Sequence, residues 1–300
     1  MIAGNNKSLL EKTFESLNYL FLSLFIFFTL YPFYYCVMLS FNDGKDAESG
    51  GIYFWPRLFT LENYRRVFSD PYILVGFRNS ILRTVIGVVL AVFFTAMYAY
   101  AVSRRDLLFK KVYLTIGIIT MYFGGGLIPY YILINRIGLI DNFLVYIIPG
   151  LFSMSNAILF ITYFRDIPVS LEESAKIDGA NDIYIFYKII FPVSLPIFAC
   201  IALFIGVSQW NSWFDTMLYT NSDNLETLPH LMVKILNTQN YMNEMAAKSQ
   251  FVEDITKRIP VTTNSLLLAM MVITAFPIIV LYPFLQKYFI KGIMIGSIKG

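Results

Sequence analysis

Residues Ile167 to Pro196 read IPVSLEESAKIDGANDIYIFYKIIFPVSLP, a polar stretch set between two long apolar segments. Ser170 and Glu173 have the Ser-x-x-Glu spacing of a capping box, in which each side chain satisfies a backbone N–H at the other residue, so a helix is expected to start at Leu171. Gly179 is placed to end it, because glycine enters the left-handed region without steric cost. A second helix is expected next, capped by Asn181 or Asp182. Ile183, Phe186, Tyr187 and Ile190 would form its apolar stripe before Pro192. The expected product is a short helix, a tight turn and an amphipathic helix lying on a membrane surface.

Working outward, the chain is a membrane protein by composition. Charged residues make up 14% of it, against about 25% in a typical soluble domain, and the mean hydropathy is +0.61. Six long runs lack Asp, Glu, Lys and Arg: 16–42, 84–103, 112–135, 142–164, 189–214 and 259–286. Each reaches the roughly 20 residues that a spanning helix requires. The expected spans are about 16–42, 80–103, 112–135, 142–164, 194–220 and 260–286. Around them lie a polar lead-in over 1–15, the 166–196 loop and a tail over 291–300, with residues 16–290 as one membrane domain. The first run is too long for the apolar part of a cleaved signal peptide and no small-x-small cleavage site follows it.

Six spans place both termini on one side. Counted over all segments, 12 basic residues fall on the side of the 166–196 loop and 11 on the other. Short loops carry the positive-inside rule, and the 103–111 connection holds Arg104, Arg105, Lys110 and Lys111 against Asp106 alone. The loop and both termini are therefore expected in the cytosol, a placement that the family resemblance given next also implies, together with a bacterial plasma or inner membrane.

The order and spacing of Glu172, Glu173, Ala175, Asp178, Gly179, Ala180, Phe186, Ile189, Pro192 and Pro196 resemble the EAA motif of ABC importer permeases, and specifically the maltose-type carbohydrate subfamily. The Thr60-x-x-Asn63-Tyr64 string, the Asn79-Ser80 pair and the tail after Tyr288 resemble the same subfamily, so the likeness covers about Tyr19 to Gly300. The string Gly124-Gly125-Gly126-Leu127-Ile128-Pro129-Tyr130-Tyr131 resembles a subgroup associated with pectin-type and other complex oligosaccharides. The resemblance implies an all-α fold of type I with a cytosolic coupling helix, in which Glu172, Glu173, Ala175, Asp178, Gly179, Ala180 and Pro192 dock on a separate ATPase. It also implies a second, homologous permease, two ATP-binding chains that hold ATP and Mg, an external solute-binding protein facing the 221–258 loop, and an oligosaccharide cargo. The tail residues Lys291, Gly292 and Gly296 either lie as a flexible basic segment near lipid headgroups or reach the ATPase interface.

No catalytic constellation is visible, and neither a P-loop nor a metal motif is present. Cys36 and Cys200 fall in apolar runs and read as buried hydrophobes; His230, in a loop, reads as a surface residue. No nucleic-acid partner is implied. Ser208, Gln209, Trp210, Asn211, Ser212 and Trp213 precede Asp215, and helical spacing puts Ser208, Asn211, Ser212 and Asp215 on one face. Ser153 and Asn156 share a face of the fourth span. Both sets read either as helix-to-helix hydrogen bonding or as a substrate path. The three glycines of 124–126 weaken the third span, either for close helix packing or for substrate contact. An ion-coupled transporter would need ionisable residues at membrane depth, which the charge-free runs do not offer. A membrane scaffold would not need the EAA string, and an ABC importer of another solute would keep the machine and change the cargo.

Overall fold

The structure is a computed structural model that describes residues 9–248 and 262–297. All named elements are helical, and the pairing of Asn42 with Phe59 is an isolated antiparallel bridge. Two compact units are present, Met1–Ser69 with Thr238–Ile273, and Asp70–Asn237 with Thr274–Gly300.

The first unit begins with α1, Leu9–Ser40. The expected polar lead-in is therefore helical from residue 9 onward, the helix running without a break from its charged residues into the apolar run. Most of α1 is apolar and exposed, and only Met38, Leu39 and Ser40 are buried. Two short helices follow, α2 (Gly44–Glu48) and α3 (Glu62–Ser69). Asp43 caps α2 by accepting from the N–H groups of Lys45 and Asp46. Thr60 Oγ1 accepts from Glu62 N–H at 3.1 Å, as its place in the sequence predicts. Asn63 is fully enclosed and donates to the carbonyls of Ser40 and Asn42, 2.9 Å each, while Tyr64 meets Ser40 Oγ at 2.6 Å. Asn63 thus supplies a partner for the last carbonyl of α1, that of Ser40, while Phe41 and Asn42 N–H groups serve those of Met38 and Leu39.

The second unit is built on α4, Pro71–Ser103, started by the Asp70 cap and by Pro71 at its first position. Ala91, Ala96 and Ala99 keep one face of α4 thin. Against that cluster pack Phe160 and Phe164 of α7 (Met154–Arg165) and Phe198 and Ile201 of α11 (Leu195–Asn211). At the other end of α4, Asn79 Nδ2 donates to the carbonyls of Asn224 (2.7 Å) and Glu226 (2.8 Å), and Ser80 Oγ accepts from Leu228 N–H. Replacing Asn79 by alanine orphans both carbonyls, and a loss of about 1–3 kcal/mol is expected. A fall in the melting temperature of the detergent-solubilised protein reads it out.

Among the described residues, three helices are long and apolar enough to cross a bilayer: α1, α4 and the stretch Thr263–Pro283. Three further stretches qualify only as bent helix pairs; one, 182–211, begins before the fifth expected span (194–220) and ends short of it, while the other two coincide with the third and fourth expected spans. The third breaks into α5 (Lys110–Tyr122) and α6 (Leu127–Arg136), inclined by 113°. At about 20 Å, α5 alone is shorter than a bilayer core. Packing within this chain does not explain Gly124 and Gly126, because a Cβ at either would meet nothing of it within 4 Å. Gly126 has φ +81°, so its role is conformational. The fourth combines the 3₁₀ turns Phe143–Tyr146 and Ile148–Gly150 with α7 (Met154–Arg165) at 46°.

After α7 come α8 (Val169–Ile177) and α9 (Asp182–Ile185). A π turn, Phe186–Ile190, leads into α10 (Phe191–Val193), and α11 (Leu195–Asn211) follows with an 84° bend. Pro192 has no N–H for the carbonyl of Lys188, and the wide turn, closed by Phe191 N–H on Phe186 O, absorbs the defect. The chain continues through α12 (Phe214–Tyr219), α13 (Leu228–Lys248) and α14 (Thr263–Ser297). The helix expected over His230–Leu236 is thus the early part of a longer one. His230 is also no plain surface residue: its Nδ1 lies 2.6 Å from Glu226 Oε2, and Lys234 Nζ 3.1 Å from Oε1. Burial opposes ionisation of Glu226, yet the hydrogen bonds from His230 and Lys234 prevail and hold its carboxyl below the usual range. Lys291, Gly292 and Gly296 lie on the last turns of α14, a helical segment where a flexible tail was expected; residues 249–261 and 298–300 lie outside the described residues.

Candidate functional site

The helix-turn-helix of the polar loop forms, with a different start. Pro168 occupies the N-cap of α8 and no side chain caps it, so the Ser170–Glu173 box is not made. The helix begins at Val169, which leaves Ser170 inside the first turn and out of capping position. Its end follows the glycine: Gly179 has φ +81°, Ala180 N–H donates to Ala175 O at 2.9 Å and Gly179 N–H to Lys176 O at 3.0 Å. These two bonds are the Schellman pair. Asn181 then caps α9, its Oδ1 accepting from Tyr184 N–H at 2.8 Å. The π turn rotates the apolar stripe, so Ile185, Phe186 and Ile190 are buried while Ile183 and Tyr187 are exposed.

The sides of α8 differ in chemistry. Ala175 is buried in the core that also holds Tyr100, Phe164 and Phe186, and Ala180 packs against it. Glu173, Ser174, Ile177 and Asp178 are exposed, Ile177 at 87%. Glu172 turns the other way, to Arg104. The Arg104 guanidinium pairs with Glu172 Oε2 and donates to Tyr100 OH (2.8 Å), with Asp106 at 3.5 Å and Asp182 at 3.6 Å. Burial works against the charge of Arg104, but Tyr100 and then the carboxylates of Glu172, Asp106 and Asp182 prevail and hold its pKa above the ordinary value. A hydrogen bond to its own backbone N–H, reinforced by Arg104 and Lys176, holds the Asp106 carboxyl below the usual range. A groove of about 490 Å³ opens beside this cluster, lined by Arg105, Arg165, Glu173 and Lys176 among others.

A second polar cluster lies where α4 meets α11 and α12. Arg83 is buried, and its five N–H donors are all used. Nε and Nη2 reach Gln209 Oε1 at 3.3 and 3.0 Å; Nη1 reaches Ser212 O and Asp215 Oδ1 at 3.2 and 3.1 Å; Nη2 also pairs with Asp215 Oδ2. The guanidinium stands 4.4 Å from the ring centroid of Tyr146. Gln209 Nε2 donates to Tyr146 O, and Ser212 Oγ to Asp215 Oδ1.

The expected stripe from Ser208 to Asp215 is therefore interrupted. Ser212 is extended, with ψ 122°, and Asp215 belongs to the next helix. Ser208, Asn211 and Trp213 are exposed, whereas Trp210 is buried and donates from Nε1 to Thr274 O at 2.9 Å. Ser153 caps α7 by accepting from Asn156 N–H, and it borders a cavity of about 640 Å³ walled by Tyr98, Tyr113, Tyr130 and Phe152.

The chain is 35% identical over 294 residues to the polygalacturonan/rhamnogalacturonan transport system permease protein YtcP of Bacillus subtilis, covering 97% of this chain and 99% of that protein. It belongs to the permease subunits of bacterial carbohydrate ABC importers. The permease is also 31% identical to the trehalose transport system permease protein SugB of Mycobacterium tuberculosis over 284 residues, 93% of this chain and 95% of that one. Among solved structures it superposes with TM-score 0.83 and 28% identity on a chain of a bacterial ABC transporter involved in the import of the acidic polysaccharide alginate, covering 95% of this chain and all of the other. No family model matches the sequence. As a member of this family the permease is a transport component, not an enzyme.

Sequence reasoning found the Gly179 turn, and it missed Arg104, Ile177 and the Arg83–Asp215 pair. The pair escaped because the scan for charge-free runs stops one residue short of each: the runs begin at Thr84 and end at Phe214. Opposite charges flush against the matching ends of two spans were the available signal. For Ile177 it was an exposed-register aliphatic just before Asp-Gly.

Proposed function

We propose that this permease imports an oligosaccharide, of pectin type or a related acidic glycan, and that α8–α9 is the element on which a separate ATPase acts. The observation that carries the reading is the exposed knob formed by Ile177, Asp178 and the Gly179 turn on a helix anchored from behind by Ala175 and Ala180. A small, fixed, partly apolar projection suits insertion into a cleft of another protein, since exposed ion pairs alone contribute only about 0 to 1 kcal/mol. In this reading the three bent pairs each count as one span, making six, and both termini and the knob lie in the cytosol. The ATPase holds ATP and Mg, a second homologous permease completes the membrane pore, and a binding protein delivers cargo at the 221–258 side. Lys291, Gly292 and Gly296 are placed near the ATPase by the same topology.

YtcP belongs to a polygalacturonan/rhamnogalacturonan transport system and the similar solved transporter to import of the acidic polysaccharide alginate, which supports an acidic cargo. Arg83 does not supply the cation for it, because its donors are spent. The complete complex in proteoliposomes tests the cargo: accumulation of galacturonate oligomers over peptides and amino acids is expected, and accumulation of the latter alone would refute it.

The path is tested separately. With Cys36 and Cys200 removed, cysteines at exposed Ser208, at Asn211 and beside the tyrosine-walled cavity at Ser153 should react with water-soluble thiol reagents, while Phe204→Cys should not. The pattern should change when nucleotide traps the complex, since alternating access moves water between the two sides. Protection of all three in every state assigns these positions to helix packing.

A further inference from the structure

Two adjacent glutamates of α8 face different ways, and the difference assigns a role to a residue outside the loop. Glu173 is exposed, whereas the Glu172 side chain is only 19% exposed and pairs with Arg104, itself 13% exposed. Arg104 is the C-cap of α4, the helix that packs on both α7 and α11. The same guanidinium approaches Asp182, the first residue of α9, at 3.6 Å. One cation thus touches the V of α8 and α9 on both sides of the Gly179 turn. Tyr100, one turn earlier on α4, fixes the orientation of the cation by a 2.8 Å hydrogen bond and by its ring, 5.5 Å away. Lys110 Nζ holds the backbone beneath it, donating to the carbonyls of Ser103 (3.1 Å) and Arg104 (2.7 Å).

The mechanics follow from how little else holds α8. It is a nine-residue helix joined to α7 through Asp166–Pro168 and to α9 through a glycine turn, and Ala175 is its one buried residue. A helix so attached pivots when pushed unless a directional bond ties it to a longer element. We infer that Arg104 and Glu172 are positioning residues that strap the docking helix to the Ser103 end of α4, so that displacement of α8 is delivered to α4. The inference rests on the reading of α8 as the ATPase-docking element, and assigns Glu172 to transmission inside the permease, leaving Glu173, Ile177 and Asp178 for the ATPase.

The test uses the assembled complex in proteoliposomes, with Arg104→Gln, Glu172→Gln, the double variant and Ile177→Asp, each scored for co-purifying ATPase and for sugar moved per ATP hydrolysed. Arg104→Gln and Glu172→Gln should keep the ATPase bound and lower the ratio by about tenfold, and the double variant should fall no further than Arg104→Gln alone, because that substitution already removes the pair with Glu172 along with the contact to Asp182. A merely structural role would lower the yield of complex and leave the ratio unchanged. An unchanged ratio, additive losses, or release of the ATPase by Glu172→Gln but not by Arg104→Gln would overturn the strap. If Arg104→Gln is not recovered from membranes, Glu172→Gln, which keeps shape and removes only charge, decides by the same ratio. Ile177→Asp tests the docking reading on its own: it should release the ATPase, and its failure to do so would overturn docking whatever the strap variants show.

Discussion

Uptake should fall by more than about a hundredfold when Glu173 and Asp178 are both replaced by lysine, because in the proposed docking interface reversed charges would cost several kcal/mol. Both carboxylates are exposed on the side of α8 away from the core, so the change leaves the Ala175 packing and the Arg104–Glu172 pair in place. Membrane level and detergent stability should accordingly stay near those of the unaltered protein. Gly179→Val is the companion variant. With φ at +81°, a β-branched residue costs at least about 1–2 kcal/mol in the left-handed region, and the least costly escape is to open the Schellman turn and misdirect α9. Substrate-stimulated ATP hydrolysis by the purified complex should fall together with uptake in both variants. Normal transport by either would remove α8–α9 from the coupling path.

The second large effect concerns stability. Arg83→Met should destabilise the protein by about 3–5 kcal/mol, since it leaves Asp215 and Gln209 without their partner in a buried site. The Arg83→Met, Asp215→Leu double variant should recover part of that loss, because it removes the carboxylate left without its cation. Monodisperse yield after extraction and the melting temperature both measure this. If Arg83 were instead a contact for an anionic sugar, the single variant would lose uptake at an unchanged melting temperature, and the double variant would recover neither. The saturated donor set predicts the first pattern.

How much of this was legible in the chain differs by element. The membrane class, the helix-turn-helix between Ile167 and Pro196 and the left-handed glycine within it follow from local rules: composition, the placement of proline and glycine, and an Asn cap. Those rules act within a few residues, so they survive without knowledge of neighbours. The errors arose where a neighbour decides. Ser170 has capping chemistry, but Pro168 had already started the helix. The stripe counted at 3.6 residues per turn was displaced by the π turn that Pro192 demands. Ser208 to Asp215 look like one helical face until Ser212 turns extended so that Gln209, Ser212 and Asp215 can converge on Arg83, more than a hundred residues earlier. Glu172 and Glu173 are chemically equivalent in the sequence; Arg104, brought in by α4, makes one internal and leaves the other exposed. The sequence by itself determined which segments are apolar, where the backbone must turn and what family the pattern resembles, because these depend on each residue's own side chain and φ preference. Only the tertiary structure decided which polar groups are spent on each other and which remain available, because a charge or an amide has no fixed role until its partner's position is known.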